Sequence, residues 1–83
     1  MMKEIRYYWI NTLGIVGKRE EWDCCIFREG KWIQDREMLV MDRLMGYDPY
    51  EDDDSPYKIG NLSIMNEIEE ISESEAMNKI KQH

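Results

Sequence analysis

Four consecutive carboxylates, Glu51-Asp52-Asp53-Asp54, lie between Pro49 and Pro56. A small core cannot bury four adjacent charges, so this stretch has to stay in water. The two prolines withdraw backbone donors and bias Asp48 and Ser55 away from helix. Residues 47–57 are therefore an acidic loop, and every regular element must lie before or after it. The 83 residues amount to a single domain, 1–83, and a domain this small buries only roughly 60% of the surface its unfolded chain exposes.

The part before the loop predicts strands. Residues 4–12 are rich in aromatic and β-branched types, with Ile5, Tyr7 and Trp9 on one face and Arg6, Tyr8 and Ile10 on the other. The segment 12–20, with Gly14 and Gly17 around Ile15-Val16, reads as a loose connection. Residues 21–28 alternate again, Trp22, Cys24 and Ile26 against Asp23, Cys25 and Phe27. Glu29-Gly30 forms a tight turn, and Lys31–Gln34 continues as a third strand. Asp35 then suits an N-cap. Met38, Met41, Leu44 and Met45 fall at helical spacing, and Gly46 stands at the position that ends a helix. A fourth strand through 38–41 is the competing reading.

After the loop, Ile64, Ile68 and Ile71 fit the spacing of a helix begun by Ser63, with a short edge strand as the rival. Ser72 and Glu75 form a capping-box pattern for a helix from Glu73 to about Gln82, with Met77 and Ile80 inward. Lys79 and Lys81 suit its C-terminal end. The expected class is α+β: a small antiparallel sheet of about three strands (near 4–12, 21–28 and 31–34), needing one covering layer. Two or three short helices near 36–45, 64–71 and 73–82 supply it.

Charge is distributed unevenly along this fold. Residues 1–45 balance eight acids against eight bases, whereas residues 46–83 hold ten acids and three bases, so the net charge of −7 belongs to the second part. Direct nucleic-acid binding is disfavoured, since it requires a Lys/Arg face. An anionic membrane is disfavoured for the same reason. A protein partner with a basic surface is the natural complement. The start of the chain lacks the apolar stretch of a signal peptide, and no run has the length of a membrane helix, so a cytoplasmic setting is expected.

Little in the chain points to catalysis. The only histidine is His83, the last residue. That argues against Ser-His and Cys-His nucleophile pairs and against His-based zinc sites. Phosphate-binding glycine motifs are missing. Paired acids could cleave glycosides, but a sugar-sized cleft is hard to build at this size. Cys24 and Cys25 are adjacent and form no CxxC pair, so one thiol inside and one near the surface is the simplest expectation. Asp48, Asp52 and Asp54 could be imagined around Ca²⁺, yet the EF-hand pattern fails for want of its Gly and its twelfth-position Glu. No catalytic residue, metal site or cofactor is expected.

The aromatic residues divide by position. Tyr7, Trp9, Trp22 and Trp32 sit at strand spacing and predict core or cross-strand pairs. Tyr47, Tyr50 and Tyr57 bracket the acidic loop, where they either anchor a partner or pin the loop to the domain. In size and charge the chain is similar to small acidic inhibitors of phages and mobile elements and to toxin-neutralising immunity proteins, a likeness that covers no defined motif. The leading expectation is an acidic interaction domain, in its most concrete form an inhibitor that occludes or mimics nucleic acid on a basic enzyme. The contact would comprise Asp48, Tyr50, Glu51, Asp52, Asp53, Asp54, Tyr57, Glu67, Glu69 and Glu70, extended by Glu73 and Glu75. The alternative is an accessory subunit of a homo- or hetero-oligomer that uses an apolar sheet face and keeps its acids for solubility.

Overall fold

The computed structural model describes residues 4–82, so His83 and residues 1–3 lie outside it. The elements run β1 (Ile5–Ile10), β2 (Ile15–Glu20), β3 (Asp23–Arg28), β4 (Lys31–Gln34), α1 (Leu39–Met45), α2 (Leu62–Met65), β5 (Ile68–Ile71) and α3 (Glu73–Lys81). The class is α+β as expected, but the sheet has five antiparallel strands, in the order β4-β3-β2-β1-β5, where the sequence predicts about three.

Two of the strands correct the sequence reading. The segment that reads as a loose connection contains β2, the middle strand of the sheet. Residues 64–71, whose spacing favours a helix, split instead into the single turn of α2 and the edge strand β5. Ile68 and Ile71 are both buried, and they enter different cores. Three positions apart on a strand means opposite faces, which a helix could not provide.

The sheet is covered on both faces, not by the one layer expected. Tyr8, Ile10, Ile26 and Ile68 pack with Val40 of α1, joined by Ile33, Leu39 and Leu44. On the other face Val16 and Ile71 pack with Ala76 of α3, joined by Trp9, Phe27, Trp32, Met77 and Ile80. The strand registers carry this alternation across the sheet, pairing Tyr8 with Gly17, Gly17 with Ile26 and Ile26 with Ile33. Ile10 and Val40 are fully buried.

Element boundaries follow local chemistry. Glu29 and Gly30 both have positive φ, the conformation of a two-residue hairpin turn that matches strand twist. Trp22, predicted in a strand, instead occupies the β2–β3 hairpin turn and is exposed. α1 begins at Leu39, three residues later than expected, after Met38 in a left-handed conformation. Asp35 still caps it: its carboxylate accepts from Leu39 N at 3.0 Å and Val40 N at 2.8 Å. Half of the predicted capping box is formed: the Ser72 hydroxyl accepts from Glu75 N at 3.1 Å, while the Glu75 carboxylate accepts from that hydroxyl at 3.3 Å instead of from the Ser72 amide.

Candidate functional site

The acidic loop connects α1 to α2. Its base is closed by two backbone hydrogen bonds, Gly60 N to Met45 O (2.8 Å) and Asn61 N to Gly46 O (3.0 Å). Inside, Asp48 N donates to Lys58 O at 2.8 Å, and Ser55 N to Asp52 O at 2.9 Å. The two oxygens of Asp48 accept from Tyr50 N (3.0 Å) and from the Asn61 side chain (3.3 Å). Loops with close ends and their own internal bonds are compact surface units, not loose linkers.

Lys58 holds this unit together. Its ammonium donates to Glu51 O at 2.7 Å, pairs with Asp53 at 3.4 Å, and lies 4.9 Å from the Tyr47 ring centre. Desolvation pulls the ammonium pKa down, but hydrogen bonds to Asp53 and Tyr47 and their charge outweigh it, and the net direction is upward. The lysine stays charged across the physiological range.

The aromatic residues around the loop differ in their surroundings. Tyr47 is half-buried under Lys58, and its amide donates to Asp42 O of α1 at 2.8 Å. Tyr50 and Tyr57 stand out from it instead, 97% and 72% exposed. Asp52, Asp53 and Asp54 are exposed as well, and Glu51 is half-buried.

The structure brings only some of the predicted contact residues together. Asp48, Tyr50 and Glu67 line one cleft of about 340 Å³ with Asp42, Arg43 and Ile64. Glu67 is held there by Arg43 (3.2 Å) and by the Thr12 hydroxyl (3.2 Å). Burial pushes the Asp42 carboxyl up, against the opposing charge of Arg43. Glu69 and Glu70 are set apart on strand β5, opposite Trp9 and Tyr8 and facing away from each other. Glu70 is bonded to Arg6 at 3.1 Å, and Arg6 also reaches Glu4 at 3.3 Å. Glu73 and Glu75 belong to the first turn of α3, on the sheet face opposite α1. The acids after Gly46 are thus dispersed: one group surrounds the loop, Glu69, Glu73 and Glu75 lie on the α3 side of the sheet, and Glu70 sits beside Arg6 on the α1 side.

Sequence reasoning missed Asp42 and Arg43 of α1 and Ile64 of α2, which those helices bring to the cleft beside Asp48 and Tyr50. It also missed the exposed apolar residues Ile59 and Leu62 beyond the loop. Leu62 opens the single turn of α2, which is too short to bury it, and Ile59 lies in the irregular segment just before it.

Cys24 and Cys25 are free and on opposite faces of β3, and both are half-buried, where one inside and one near the surface is the sequence expectation. Burial pushes the Cys24 thiol up, assisted by the charge of Asp35. Among the described residues no three His, Cys, Asp or Glu side chains gather as a metal-ligating group. Among them, too, no helix is long and apolar enough to cross a membrane.

No family model, curated protein or solved structure matches the chain.

Proposed function

We propose that the chain is a protein-interaction domain that acts by binding, not catalysis, and presents the 47–57 loop to a basic protein surface in the cytoplasm. The observation that carries this reading is the loop's construction. A carboxylate run that electrostatics would scatter is clipped by Lys58 and two backbone bonds, while Asp52, Asp54 and Tyr50 face solvent. Preorganised charge lowers the cost of ordering on association and steers encounter. The most concrete form is an inhibitor that occupies the nucleic-acid channel of a basic enzyme, with loop carboxylates in the place of phosphates.

A reading as an accessory subunit docking through a sheet face is less well supported. The apolar side chains of both faces already pack in clusters with α1 and α3.

The test compares the full chain with the triple variant Asp52→Asn, Asp53→Asn, Asp54→Asn. Both are used to capture proteins from host extract at low and high salt, and association rates are then measured on the partner identified. The expected result is a basic partner whose on-rate falls about tenfold in the variant, with a flatter salt dependence. An unchanged on-rate would remove the loop from the interface.

A further inference from the structure

The foot of the acidic loop carries apolar surface beside its charge. Ile59 and Leu62 are 55% and 73% exposed, and with the exposed Tyr57 and with Gly60, Asn61 and Ser63 they line a groove of about 280 Å³. The patch continues around the loop base. Met45 is exposed and its carbonyl accepts from Gly60 N, and the side chain of Met65, also exposed, lies against Gly46. A β-carbon added at Gly60 would meet nothing within 4 Å, so the groove is open there. Large apolar side chains exposed side by side and rimmed by polar residues mark a surface that another molecule can cover, and nearby methionines adapt to varied shapes.

We propose that this groove receives an apolar side chain from a basic amphipathic segment of another protein. The inference rests on the reading of the loop as a docking surface and names the chemistry of what docks there. Charge complementarity selects the occupant. Between Gly46 and Asn66 the chain has five carboxylates and one ammonium. That ammonium, Lys58, is already engaged by Glu51, Asp53 and Tyr47. A second copy of this chain would bring two such carboxylate sets together, and an anionic lipid surface would be repelled. A segment with lysines or arginines on one side and aliphatic side chains on the other satisfies both halves of the surface.

The experiment titrates the isotope-labelled full chain with a Leu/Lys peptide of about 18 residues whose leucines fall at helical spacing. A peptide of the same composition in scrambled order is the control for the amphipathic arrangement, and a lysine-only peptide of equal charge is the control for charge alone. The amphipathic peptide is expected to bind about tenfold more tightly than either, as burial of one leucine-sized side chain implies. Amide shifts should concentrate at Tyr57, Ile59, Gly60, Leu62 and Met65. Leu62→Ser and Ile59→Ser should each weaken binding several-fold, through faster dissociation, with the salt dependence retained. Both residues are exposed, so the fold is expected to survive, and an unchanged amide spectrum elsewhere verifies it. Equal affinity for the three peptides, or shifts confined to the carboxylate residues, would overturn the groove while leaving the acidic loop standing. Self-association that Leu62→Ser abolishes would overturn it in favour of a second copy.

Discussion

At the scale of single residues the tightest constraint is Gly17. It lies in the central strand, and a β-carbon there would sit 2.7 Å from Cγ2 of Val40. Val40 is fully buried and β-branched, so it has no free rotamer to move into. The helix α1 thus rests on the sheet through a position where β2 has no side chain. Gly17→Ala is expected to destabilise by about 1–3 kcal/mol, since overpacking exceeds the small backbone-entropy gain from alanine. Val40→Ala alone should cost about 2 kcal/mol through lost burial and a residual cavity. The double variant should cost less than the two together, by about 1 kcal/mol, because removing the valine methyls makes room for the alanine. Urea denaturation of the four proteins measures the cycle, and strict additivity would show that the close approach is not limiting.

At the scale of elements, α1 shows how a carboxylate can cap a helix from outside its first turn. Met38 holds the N-cap position with φ 59° and gives no side-chain bond. Asp35, only 6% exposed, reaches past it to satisfy the amides of Leu39 and Val40. Asp35→Ala should therefore cost about 1–3 kcal/mol in chemical denaturation, more than an exposed cap, because it strands buried donors. Asp35→Asn should fall between, since one acceptor oxygen survives. A loss no larger than that of Glu37→Ala, an exposed neighbour, would refute the capping role. Asp35 and Ser72 could be read as caps because capping chemistry is local. β1, β3 and β4 could be read because aromatic and β-branched residues alternate there. β2 was hidden because its key residue is a glycine placed for α1, and because Lys18 is charged yet lies over the Trp32 ring, 4.4 Å from its centre. β5 was hidden because its isoleucines serve opposite faces, so their spacing imitates a helix. The acidic loop was legible as solvated, but not its closure, which depends on Gly46 meeting Asn61 from fifteen residues away.

At the scale of the whole molecule, a net charge of −7 concentrated after Gly46 opposes any compact arrangement of residues 47–59. Lys58 counters that repulsion at one point. Its side chain is 15% exposed while that of its partner Asp53 is 98% exposed, so the ion pair itself contributes little in water. The bond to Glu51 O and the packing on Tyr47 do more, because they tie the far side of the loop to its base. Lys58→Gln should leave the urea midpoint close to that of the parent, since loops open locally without unfolding the core. It should nevertheless speed proteolysis and amide exchange between Tyr50 and Tyr57. The same substitution separates the two electrostatic effects that the proposed function combines. Removing a positive charge strengthens the negative field, so the on-rate of a basic partner should rise at low salt. Loosening the loop restores the ordering cost, so the off-rate should rise further and the net affinity should fall. Stopped-flow association and dissociation measured at two ionic strengths read both quantities. An on-rate and an off-rate that both stay at the parent values would mean that the loop reaches its partner unclipped, and that Lys58 serves the free fold alone.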